Sequence, residues 1–125
     1  MNTREIDRLV AEKVMGWEYD HLYKEYFLKE YVGNNWHKKY VCKNHEFNPS
    51  TNIQDAWKVI EKLCVIDRLN KDGYDFQMWS ENGKFNANFW KGDFYVLGFA
   101  ESESAPLAIC LAALETVGVE VEDDD

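Results

Sequence analysis

The chain is poor in several of the residues that reactive sites are built from. Its 125 residues hold two prolines, three histidines and three cysteines. Cys42, Cys64 and Cys110 are odd in number, far apart and without a CxxC pair. They make no disulfide framework, and a reducing cytoplasm is the compartment to expect. Three histidines leave few general bases near neutral pH. There is no GxSxG elbow and no Gly-rich phosphate loop, since the seven glycines read as turns, caps or strand positions. Carboxylates are abundant, but Glu12, Asp55, Glu61 and Glu115 read as solvent-facing helix positions. These absences argue against an enzyme. No apolar run approaches the roughly 20 residues of a membrane span, and none follows a basic start, so the expectation is a soluble intracellular protein.

Basic residues are scarce in one half only. Residues 1–66 hold ten acidic and ten basic side chains, whereas residues 67–125 hold thirteen acidic and four basic. The net charge of −9 therefore lies in the second half, which ends in an acidic tail over residues 122–125. Such a field opposes binding to nucleic acid, where Lys and Arg must neutralise phosphates.

Aromatic rings are what the chain has in excess: five Trp, seven Tyr and seven Phe. A domain this small cannot bury them all, so some are expected at a surface used for a partner, a ligand or self-association. "NTREIDRLVAEKVMGW" reads as a helix, with Asn2 and Glu5 as the capping signal, Ile6, Leu9, Val10 and Val14 on one face, and Gly16 as its C-cap. Trp17 is expected to fold back on the core. In "FNPSTNIQDAWKVIEKL", Thr51 reads as the N-cap with Gln54 completing a capping box, and Ile53, Ala56, Trp57, Ile60 and Leu63 as one buried stripe.

Alternation over 74–79 and 85–89 and an apolar run over 94–99, with Asn82-Gly83 and Lys91-Gly92-Asp93 as turns, predict a three-stranded antiparallel meander. Its last strand is apolar on both faces, which suggests cover on both sides. Trp79 and Trp90 lie opposite its core face, with burial the safer reading over an oligomer interface. "ESAPLAICLAALETVG" reads as a helix capped by Ser104 or Ser102 and ended by Gly118. Leu107, Cys110, Leu111 and Leu114 form its buried stripe, its alanines allow close packing on a second side, and "VEVE" follows as an edge strand. Segment 18–46 suits either a short helix or a hairpin. The fold expected is α+β, an αβα layered sandwich with a small antiparallel meander flanked by three amphipathic helices.

"NNWHKKYVCKNH", residues 34–45, carries the densest chemistry. His37, Cys42 and His45 have zinc-ligand chemistry, but a fourth ligand would have to come from His21, Cys64, Cys110 or a carboxylate, and Cys64 and Cys110 read as core. No metal and no cofactor are expected. Trp36, His37, Lys38, Lys39, Tyr40 and Lys43 instead combine lysines with flat rings, as a site for a small anionic or nucleotide ligand would. The simpler reading is an edge strand whose lysines block self-pairing. As a strand, it would set Tyr40 and Cys42 on one face and Val41 on the other.

"NTREIDRLVAEKVMGW", "FNPSTNIQDAWKVIEKL" and "APLAICLAALETVGVEV" together resemble the phage ABA-sandwich domain family, small proteins of phages and prophages, especially of Firmicutes. The resemblance covers roughly 50 residues in order and departs over 18–46. It implies an α/β/α layered fold and a phage or prophage origin, with no common activity. Its recurring positions, among them Gly16, Trp17, Trp57, Pro106 and Cys110, read as scaffold. One domain over 1–121 with a variable insertion at about 18–46 is expected. The function expected is non-enzymatic binding in the host cytoplasm. Its concrete form is a homo-oligomeric counter-defence protein that sequesters a nucleotide-type signal. The alternative is a module that binds and inhibits a host protein through the acidic, aromatic second half.

Overall fold

A computed structural model describes residues 2–65, 73–91 and 95–121. The order is helix α1 (Thr3–Leu9) running into a π-helical turn (Val10–Val14), strands β1 (Glu18–Asp20), β2 (Glu25–Val32) and β3 (Asn35–Lys43), a 3-10 turn (Asn44–Glu46), helix α2 (Ile53–Cys64), strands β4 (Asp75–Glu81), β5 (Lys84–Lys91) and β6 (Tyr95–Ser102), and helix α3 (Ala105–Thr116). The strands form two antiparallel sheets, β1-β2-β3 and β4-β5-β6. The fold is α+β, as expected from the sequence. The expected single sheet is the second of these, and the undecided segment 18–46 supplies the first.

Helix α3 is the centre of the molecule. One side lies on β5 and β6, and the other receives α2, α1 and the π turn. Both sides must then be apolar, and Ala108, Ile109, Cys110, Ala112, Ala113 and Leu114 are all buried. This helix is thus not amphipathic: it is apolar all round, as a helix with neighbours on both sides should be. Small residues let it approach closely. A Cβ built on Gly98 of β6 would stand 2.1 Å from the Ala112 carbonyl oxygen and 2.1 Å from Thr116 Oγ1. Ser104 caps the helix by accepting from the Leu107 N–H. At the other end the Val119 N–H bonds to the Leu114 carbonyl and the Gly118 N–H to Glu115, a Schellman arrangement. That capping turn uses Val119, the first residue of "VEVE", and residues 119–121 form no strand; Val119 and Val121 pack against the core instead.

Helix α2 departs from its expected stripe. Ala56, Val59, Ile60 and Leu63 are buried, whereas Ile53 and Trp57 are exposed. Trp57 stands about 100° round the helix from Ala56, which takes it off the buried arc. The cap also moves by one residue. Asn52, not Thr51, accepts from the Asp55 N–H, because the Thr51 and Asn52 N–H groups are drawn back to the Asn48 carbonyl.

The turn before α2 is held by two carboxylates. Asp55 accepts from the Asn48 N–H and Asp7 from the buried Ser50 N–H, each at 2.8 Å. Burial pushes the Asp7 carboxyl above its usual range, against the pull of the Ser50 hydrogen bonds. Asp7→Ala orphans the Ser50 N–H and is expected to cost about 1–3 kcal/mol, read as a lower urea midpoint. Asp7→Asn keeps an acceptor. A folded carboxyl with a raised pKa binds its proton more readily than the unfolded chain, so its contribution is present at acid pH and lost as pH rises past the raised value. Asn is therefore expected to match or exceed wild-type stability near pH 7 and to lose that advantage near pH 3. The reverse order would contradict the burial of this charge.

In the meander, Asn82 and Gly83 take the left-handed turn conformation, with φ of 53° and 77°. Phe85, Ala87 and Phe89 face α3, and Phe76 packs on Phe89 at 4.8 Å between ring centroids. The opposite face is not covered among the described residues. Val96 and Phe99 of β6 are exposed, Trp79 is 36% exposed beside Phe99, and Trp90 is half-buried. The expected cover on both sides of β6 and the burial of Trp79 are thereby corrected, because α3 fills one face and the other two helices lie behind it. Residues 92 and 93 of the expected second turn, and the acidic tail, lie outside the described residues.

Candidate functional site

The stretch 34–45 is the outer strand of a projecting ribbon. Gly33 and Asn34, with φ of 60° and 67°, make the two-residue turn between β2 and β3. Strand β1 pairs only with residues 25–27 of β2. Beyond them the two strands run on alone, and every residue from 31 to 40 is exposed. Trp36 is 69% exposed, and Tyr31, Val32 and Tyr40 more than half.

The register divides the six expected ligand residues. Tyr31 pairs with Trp36, Lys29 with Lys38 and Phe27 with Tyr40, which sets Trp36, Lys38 and Tyr40 on one face. His37 and Lys39 are on the other. A bulge between Tyr26 and Phe27 leaves Val41 unpaired, so Cys42 does not continue the face of Tyr40 as expected. Val41 and Cys42 both pack towards the core, and Lys43 returns opposite Glu25, on the Tyr40 face.

Each lysine of the ribbon has a carboxylate. Lys38 pairs with Asp20 and lies 4.2 Å from the centre of the Phe27 ring. Lys39 pairs with Glu30 at 3.4 Å, Lys43 with Glu25 at 2.9 Å and Lys29 with Glu18 at 3.5 Å. The Lys38 hydrogen bond holds the Asp20 carboxyl below its usual range. Residues 18–46 carry five acidic and five basic side chains. Exposed pairs contribute little to stability, about 0–1 kcal/mol each, but together they cancel the field an anion would feel. What remains is apolar: the Tyr31 and Trp36 rings pack at 5.1 Å between centroids, tilted by 56°, near the tip. In a two-residue hairpin the pairs alternate, so the backbone groups of Trp36, Lys38 and Tyr40 point away from β2 along an open edge.

The three thiols are free, Cys42 and Cys64 half-buried. Cys110 is fully buried, and burial pushes all three upward. Among the described residues no group of three or more His, Cys, Asp or Glu is arranged to hold a metal.

A second feature has no counterpart in the sequence reading. A half-open cleft of about 250 Å³ lies between α1, β1, β2 and the 3-10 turn, and is lined by Arg4, Arg8, Tyr19, Tyr26, His45 and neighbouring polar groups. Its floor belongs to an aromatic cluster in which Trp17, as expected, folds back, 4.8 Å from Phe47 and 5.8 Å from Tyr26. Arg8 lies over the Tyr19 ring at 4.6 Å, pairs with Glu12 at 3.1 Å and approaches His21 Nε2 at 3.2 Å. Arg4 has no ion pair among the described residues. The only sequence signal for this cleft was the spacing of Arg4 and Arg8, one helical turn apart; the strands that complete it lie in the segment whose fold was undecided.

Two small antiparallel sheets about a central apolar helix, with a bare ribbon at one end, define the class: an α+β sandwich. The model of the phage ABA sandwich domain matches residues 8–114, and the chain belongs to that family. The fold is similar to that in the crystal structure of a phage protein from Bacillus cereus ATCC 14579, with 24% identity, a TM-score of 0.63, and 98% of this chain and 93% of that one covered. No curated protein matches the chain.

Proposed function

We propose that this phage protein acts by binding rather than by catalysis, and that its β2–β3 ribbon is the arm that engages a protein partner in the host cytoplasm. The observation that carries this reading is the ribbon's combination of an exposed outer half, packed aromatics at its tip, an open edge and cancelled charge. Exposed Trp and Tyr are the side chains that dominate protein interfaces, and an open edge offers backbone hydrogen bonds to an added strand. The ribbon, rather than the acidic second half, is then the recognition element. The test is capture from host lysate with wild type and with Trp36→Ala/Tyr40→Ala, which touches no core position. One stoichiometric partner, lost in the double variant, is the expected result. A partner retained in full by the variant would remove the ribbon from the interface.

The second reading is counter-defence by sequestration of a small anionic, nucleotide-type signal, by a homo-oligomer. At the ribbon it is weakened by the four ion pairs. It is favoured by the cleft beside α1, where Arg4 has no ion pair among the described residues. The uncovered face of the meander, with Trp79, Val96 and Phe99, is the surface a second copy would use. Native mass spectrometry on protein from infected cells tests this: a retained nucleotide-sized adduct on an oligomer supports it, and a bare monomer speaks against it.

A further inference from the structure

We propose that the cleft beside α1 is a binding site for a nucleoside monophosphate or a ligand of that chemistry: one anionic group at the rim, a flat ring, and a hydrogen-bond donor at the far end. The inference rests on the sequestration reading for its purpose, but the site is argued from its own atoms. Tyr26 is 3% exposed and lines the cleft, yet its hydroxyl has no hydrogen-bond partner among the described residues. The ring is buried, but the hydroxyl oxygen itself is not sealed off: it opens into the cleft, where it can meet a ligand or a water. Burial, with the nearby Asp7 carboxylate, pushes Tyr26 up to about 12, and it remains a donor at physiological pH.

The rim supplies the charge. Arg4 lines the cleft, has no carboxylate partner among the described residues and can take an oxyanion in its planar fork. Asn44 donates to the Tyr19 hydroxyl at 3.4 Å, which holds that ring across from Tyr26, 5.5 Å between centroids. Two rings at that spacing, with Phe47 behind them, offer an apolar floor to a flat group. The lining is not simply basic, since Glu5 and Asp7 also contribute. One Asp7 oxygen accepts from Ser50; the carboxylate can accept again. A ligand that is anionic at one end and has an amino donor at the other uses both signs, as a nucleotide with an exocyclic amine does. Size sets the limit. At about 250 Å³ the cleft lies below the range of roughly 300–1,000 Å³ typical of drug-sized ligands, so a dinucleotide would overfill it.

The experiment is calorimetric titration of the four ribonucleoside 5′-monophosphates, with adenosine and inorganic phosphate as half-ligands, into wild type, Arg4→Ala and Tyr26→Phe. Among the described residues neither substitution removes a hydrogen bond or ion pair, and thermal melts check folding. Expected is saturable binding of at least one monophosphate. Each variant should weaken it about tenfold, as loss of a charge-assisted or buried hydrogen bond does. Both half-ligands should bind at least tenfold more weakly than the monophosphate. Binding unchanged in both variants overturns the cleft while leaving sequestration elsewhere on the protein standing. No binding of any monophosphate overturns the cleft's ligand class, whereas the sequestration reading then stands or falls on the adduct retained from infected cells.

Discussion

Gly98→Ala is expected to cost about 3 kcal/mol or more, at the upper end of the roughly 1–3 kcal/mol typical of overpacking. The reason is what the new methyl meets. It would lie 2.1 Å from the Ala112 carbonyl oxygen and 2.8 Å from the Thr116 nitrogen. Both are backbone atoms of α3, which cannot turn aside as a side chain could. Relief requires lifting α3 from β6, and α3 is the element on which the meander, α1 and α2 all pack. Thr116→Ala removes one of the clashing atoms, Oγ1, which donates to Ala112 at 2.8 Å; it should restore only part of the loss. Gly83→Ala is the comparison. Nothing lies within 4 Å of its Cβ position, and only its φ of 77° resists the change, at a cost of about 1–2 kcal/mol. Urea midpoints of the variants check the order. A Gly98→Ala protein within about 0.5 kcal/mol of wild type would mean that α3 is not seated on β6 in this way.

Phe47→Ala is expected to cost about 3–5 kcal/mol, the range for deleting a fully buried ring. Phe47 is 2% exposed, and its ring meets Trp17 at 4.8 Å and Tyr26 at 6.5 Å. Trp17 follows the π turn, Tyr26 is on β2, and Phe47 precedes α2. Removing that ring therefore cuts the join between the ribbon-bearing sheet and the helices as well as leaving a cavity. Two readouts should move together: the urea midpoint, and the near-ultraviolet signal of Trp17. Phe47→Leu fills most of the space and should recover the midpoint more than the aromatic signal. A loss below about 1 kcal/mol would show that the sheet is held to the helices by other contacts.

Both arguments concern positions that the sequence marked unevenly. Helix ends were legible because capping is local: Asn2, Gly16, Ser104 and Gly118 each act within a few residues of the chain. The Asn82-Gly83 hairpin was legible for the same reason. Trp57 was not, because a 3.6-residue period tells which residues share an arc and not which way the arc faces when its edge holds a tryptophan. Thr51 was misplaced by one residue because Asn48, tied by Asp55, drew the turn back. The ribbon's lysines read as a basic site because Lys38 and Lys39 adjoin each other and the rings of His37 and Tyr40, with Lys43 a few residues on. Their carboxylates are up to 18 residues away.

The sequence by itself determined the α+β class, the family, most of the helix caps and the meander. Each of these depends on short-range periodicity, on composition, or on a pattern shared along the chain. Tertiary structure decided the second sheet, the exposure of Trp36, Trp57, Trp79 and Phe99, the cancellation of the ribbon's charge and the cleft of Arg4 and Tyr26. These depend on which strands pair and which faces α3 covers, and pairing and cover are set by contacts between residues far apart in the chain.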